Sequence, residues 1–169
     1  MNRQQTYLTI AFCVFLVALN IWMLGFGKIL WLMSNVNLLF HEAGHFAFGF
    51  FGRFIMVLGG TLGELIIPSL FIGHFALQRN VPGQVFGWWW VSTALYNISI
   101  YIADARGRIL PLLGGQDGHD WAYLLGRTSL LNQDILISKL VIIVVFGITA
   151  YMIHLIYNYW HLQQGKILS

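Results

Sequence analysis

Charge is what this chain has least of. Only 9% of its 169 residues are Asp, Glu, Lys or Arg, against about a quarter in a soluble domain, and that shortage excludes an ordinary water-facing globule. Cysteine is nearly absent as well. A single Cys13 rules out an internal disulfide framework and any cysteine-based zinc site, so a metal must be held by His, Asp or Glu. The nine Lys and Arg are scattered singly, with no basic patch to follow a phosphate backbone, and nucleic-acid binding finds no support. What the chain does have is apolar surface, 58% of its side chains. A helix needs about twenty apolar residues to cross a bilayer, so this composition allows at most about five crossings in one membrane domain, 1–169.

The apolar runs fall at about 7–27, 29–51, 54–77, 85–103 and 135–160. They predict an all-α integral membrane protein with five transmembrane helices. The first run is longer than a signal-peptide core and no small-residue cleavage site follows it, so it reads as a retained anchor. Between the fourth and fifth runs, 121–131 reads as a short helix capped by Asp120, preceded by an irregular glycine-rich stretch that dips into the membrane or lies on it. With the five spans alternating, Arg3, Arg53, Arg106, Arg108 and Arg127 share one side, against Lys28, Arg79 and Lys166 opposite. The excess of basic residues predicts a cytoplasmic N-terminus.

Ionisable residues inside a bilayer must be paired or put to use, which makes Phe40-His41-Glu42-Ala43-Gly44-His45 the informative segment. This is HExxH on a predicted membrane helix. Two His four residues apart share a helical face and can aim a nitrogen each at one Zn²⁺, while Glu42 reaches a water as general base. The plain alternative is a pair of core histidines satisfied by neighbours. Ser34, Asn37, His41 and His45 recur at helical spacing, a polar stripe that must face protein or water.

Two His leave a zinc site incomplete. Asp104, Asp117, His119 and Asp120 compete for the third position, all on the side of the membrane that the end of helix two approaches. Asp120 comes first and His119 second, because an irregular loop gives way to a helix there and would hold either residue rigidly. For Asp120 the alternative is a simple helix cap, for Asp104 a pairing with Arg106 or Arg108, and for Asp117 a turn residue. Glu64, the other carboxylate deep in an apolar run, reads equally as a partner for the free N–H of a ligating His and as a helix-packing contact. His74, His154 and His161 sit near helix ends and are assigned no chemistry.

The segment His41-Glu42-Ala43-Gly44-His45 with a downstream Asp opening another helix resembles the site-2-protease class of intramembrane zinc metalloproteases, over about residues 33–131. The resemblance implies Zn²⁺ held by His41, His45 and a downstream Asp, Glu42 as base, and a transmembrane protein as substrate, cleaved near the cytoplasmic face. Gly59-Gly60 also looks like the glycine pair of such proteins, although Gly59 and Gly63 equally describe close helix packing. The second motif departs from the class: Asn97-Ile98-Ser99-Ile100-Tyr101-Ile102-Ala103-Asp104 lacks its proline and Asp-Gly, while Asp117-Gly118 and His119-Asp120 each keep a part. Two other readings remain, a protease-like scaffold that binds membrane helices without cutting them, and a haem-binding electron-transfer protein with axial His on two facing helices.

Overall fold

The computed structural model describes residues 3–113 and 118–168, with the side chains of 165–168 excepted. Every regular element among the described residues is helical, as the composition predicts: α1 (Arg3–Phe26), α2 (Trp31–Phe48), α3 (Arg53–Leu77), α4 (Val81–Ala103), α5 (Asp120–Arg127) and α6 (Asp134–Leu168), with short 3₁₀ turns at Gly49–Phe51 and Leu131–Gln133. Three of them, α1, α3 and α6, are long and apolar enough to cross a membrane. Phe12 and Phe15 on α1, and Leu140, Ile143 and Phe146 on α6, are uncovered by protein, a continuous apolar exterior suited to lipid.

Local chemistry sets the helix ends. At the end of α3, Arg79 takes a left-handed conformation (φ +54°). The Asn80 N–H then reaches back to the Phe75 carbonyl (2.9 Å) and the Arg79 N–H to the Ala76 carbonyl (3.0 Å), the paired bonds of a Schellman stop. Asn80 at once starts α4: its Oδ1 accepts the Gly83 N–H (3.0 Å), and Pro82 occupies the first turn, where its missing N–H has no intrahelical role. The same stop shortens the predicted 121–131 helix. Ser129 (φ +59°) lets the Leu130 N–H bond the Leu125 carbonyl (2.8 Å), and α5 ends at Arg127.

Glycines bring α2 and α3 together. A Cβ on Gly44 would strike the Gly59 carbonyl and one on Gly63 the Phe40 carbonyl, so the two backbones touch in antiparallel register. α3 packs antiparallel on α4 through Gly87, where a Cβ would lie 2.6 Å from Ile72 Cγ1. α1 packs on α4 and α6, burying Cys13, Leu16 and Val17 with Val85, Trp89, Ile148 and Met152.

The contacts of α1 fix its direction. Tyr7 stacks near Trp160 of α6, Leu8 and Phe12 line one cavity with Arg79 and Pro82, and Asn20 lies against Ser92. α1 therefore runs parallel to α4, and its N-terminus lies at the end of the bundle that carries Arg79. Strict alternation of five spans instead puts the N-terminus beside Arg53 and Arg106. The difference arises because α1 is held by α4 and α6 rather than by α2, its neighbour in sequence.

Candidate metal centre

Antiparallel packing of α2 on α3 carries His41 and His45 over Gly60, whose missing side chain makes room for both rings. A Cβ there would lie 2.6 Å from His41 Nε2 and 2.7 Å from His45 Cε1. The two Nε2 atoms are 3.0 Å apart. Asp120, the first residue of α5, brings its Oδ2 to 2.8 Å from His41 Nε2 and 3.1 Å from His45 Nε2. His41, His45 and Asp120 thus form a group that could hold a metal ion. Ligand atoms around a tetrahedral zinc lie about 3.3 Å apart, within a few tenths of an ångström of this arrangement.

The other nitrogen of each imidazole is also held. His45 Nδ1 lies 2.8 Å from the Met56 carbonyl, which only accepts, so Nδ1 carries the proton and a neutral ring presents a lone pair at Nε2. His41 Nδ1 lies 2.7 Å from Glu64 Oε1, which gives that ring the same tautomer when Glu64 is ionised. Three acceptors then converge on one point. Such an arrangement could hold a metal ion, and two imidazoles with a carboxylate are a donor set that zinc accepts.

His119 and Asp104 lie elsewhere. His119 is the cap of α5, its Nδ1 accepting the Ala122 N–H (3.3 Å) while Nε2 faces Asp104 Oδ2 at 3.5 Å. Burial holds its imidazole below the ordinary histidine pKa, against the pull of Asp104. The cap expected of Asp120 is thereby supplied one residue earlier, which frees the Asp120 carboxylate to face the histidines. Asp104 accepts the backbone N–H groups of Ile109 (2.9 Å) and Leu110 (3.0 Å). It organises the loop rather than pairing with Arg106, whose guanidinium lies 2.8 Å from Asp134. Asp117 is outside the described residues.

Glu42 is exposed on α2 beside His41. It shares a cavity of about 640 Å³ with the three converging residues, Asn37, Asn97 and Tyr101, which Leu110 and Leu113 also line. The cavity lies between α2 and α4. Two contributors had no signal in the sequence: the Met56 carbonyl, because every residue has one, and Tyr101, whose hydroxyl accepts the Asp120 N–H at 3.0 Å; Gly60 was marked only as half of the Gly59-Gly60 pair. No family model, curated protein or solved structure matches the chain.

Proposed function

We propose that the chain is an intramembrane zinc-dependent endopeptidase, similar in its chemistry to the site-2-protease class. The observation that carries this reading is the convergence of His41 Nε2, His45 Nε2 and Asp120 Oδ2 on one point, beside a cavity that Glu42 also lines. Zinc held there would supply Lewis-acid polarisation of a peptide carbonyl and of water. Glu64 and Met56 hold the Nδ1 protons and so aim the Nε2 lone pairs. Glu42 takes a proton from the attacking water and passes it to the leaving amine, so that hydroxyl ends on the carbonyl carbon and hydrogen on nitrogen. A substrate helix must unwind to expose a bond to this group.

In this reading α2 and α4 join α1, α3 and α6 in the bilayer, and α5 lies at one end. Arg53 stacks over Tyr123 of α5 and Arg106 pairs with Asp134 at the start of α6, so Arg53, Arg106, Arg108, Arg127 and Lys139 gather at the end of the bundle nearest α5. The positive-inside rule assigns that end to the cytoplasm. The N-terminus then lies outside, the reverse of the side that alternation predicts. His41 and His45 do not supply the haem ligands of the alternative reading, since both belong to one helix and 3.0 Å between nitrogens leaves no space for a porphyrin between them.

The test is zinc content together with cleavage of transmembrane peptides in proteoliposomes. One zinc per chain is expected, with cleavage that Glu42→Gln lowers by about 10²- to 10⁴-fold while zinc is retained. A purified chain without zinc refutes the centre. Zinc with no cleavage that depends on Glu42 selects the non-cutting scaffold.

A further inference from the structure

Tyr101 is held from two sides and has one proton unassigned. Its ring stacks on His119 with centroids 4.3 Å apart, and His119 is itself fixed as the cap of α5. Its hydroxyl oxygen accepts the Asp120 N–H at 3.0 Å, one of the N–H groups that a helix start leaves without an intrahelical partner. That bond uses a lone pair and leaves the O–H hydrogen free to donate. Tyr101 lines the cavity with Glu42 and the converging group, its ring 6.1 Å from that of His41. The phenol is thus a rigid donor beside a metal-ligating residue, and no described acceptor takes its hydrogen.

We infer that Tyr101 is a catalytic residue of the proposed hydrolysis: its O–H donates to the carbonyl oxygen of the bound substrate as negative charge develops there. This inference rests on the zinc-endopeptidase reading. A donor fixed before the reaction stabilises an oxyanion without reorganising, and loss of one such donor lowers kcat by about 10²- to 10³-fold. The competing role is structural, with the phenol only bracing α5 through the Asp120 N–H, and the two roles part on measurement.

The probe is acetohydroxamate, an oxyanion-bearing zinc ligand, titrated into wild-type and Tyr101→Phe protein after both are loaded with Co²⁺ and followed by the visible absorption of the ion. The expected result is metal affinity within about threefold of wild type, with hydroxamate affinity lowered by about tenfold or more. Cleavage, measured in parallel, should lose kcat with KM little changed. Equal hydroxamate affinity in the two loaded proteins overturns the role of Tyr101 while leaving the metal centre intact. A wild-type chain that takes up neither zinc nor Co²⁺ overturns both. Should the Phe variant misfold, 3-fluorotyrosine at position 101 keeps the ring and makes the phenol a stronger donor. Tighter hydroxamate binding is then expected, and unchanged binding refutes the proposal.

Discussion

The polar cluster between α1, α4 and α6 and the one between α2, α3 and α5 use their atoms differently. Between α1, α4 and α6, the Asn20 amide donates to Thr149 Oγ1 (2.7 Å), Asn20 Oδ1 accepts from Ser92 Oγ (2.9 Å), and Thr149 passes its own hydrogen to the Val145 carbonyl (2.8 Å). Each of these bonds joins a donor to an acceptor, and the cluster is closed. Between α2, α3 and α5, the outer nitrogens of His41 and His45 are satisfied in the same way, but the inner ones face Asp120 and each other. Polar groups in an apolar core are therefore no sign of a site by themselves. Two ring nitrogens and a carboxylate oxygen converging on one point next to a cavity form a group that could hold a metal ion.

Gly60→Ala breaks the contrast most severely. The new methyl would lie 2.6 Å from His41 Nε2 and 2.7 Å from His45 Cε1, too close for the rings to stay, while alanine in place of glycine favours α3 by about 1 kcal/mol. The variant should fold, with unchanged helical circular dichroism, and lose zinc by a factor greater than the roughly 10- to 100-fold expected of a supporting partner. Retention of zinc at wild-type affinity would show that the rings are not held against Gly60.

Glu64→Gln acts one shell out. The amide keeps the shape but no longer favours a proton on His41 Nδ1, and zinc affinity measured by competition with a chelator should fall about 10- to 100-fold. Asn20→Ala sharpens the comparison from the closed side. It should lower stability by about 1 kcal/mol in a detergent unfolding series, with zinc content unchanged. An effect of Asn20→Ala on metal binding would mean that the two clusters are coupled.

Much of the site was legible because helical spacing is a local property. Two His four residues apart must share a face whatever surrounds them, so His41 and His45 were readable as a pair, and the loop-to-helix boundary marked Asp120 and then His119 as candidates for the third position. Glu64 remained evenly balanced between two roles until α3 was placed against α2. His119 could not be separated from Asp120, because adjacent residues at a helix start differ only in which way the first turn points them. The structure turns one toward Ala122 and the other toward the histidines.

The helical class and the apolar exterior were likewise written in composition and run length. The direction of α1 was not, since run lengths carry no record of which helices pack together. Counting charges by alternation assumes that neighbours in sequence are neighbours in space. Here Asn20, Ser92 and Thr149 tie the first helix to the fourth and sixth.

The amino-acid sequence alone determined that this chain folds as apolar helices and that one of them carries two imidazoles and a carboxylate at HExxH spacing, because hydropathy and the 3.6-residue turn act within a segment. Tertiary structure decided which carboxylate meets those imidazoles, which partners hold their outer nitrogens, and where the first helix begins. Each of these depends on contacts between residues tens of positions apart, brought together here by glycines that let backbones touch and by a histidine that caps a helix.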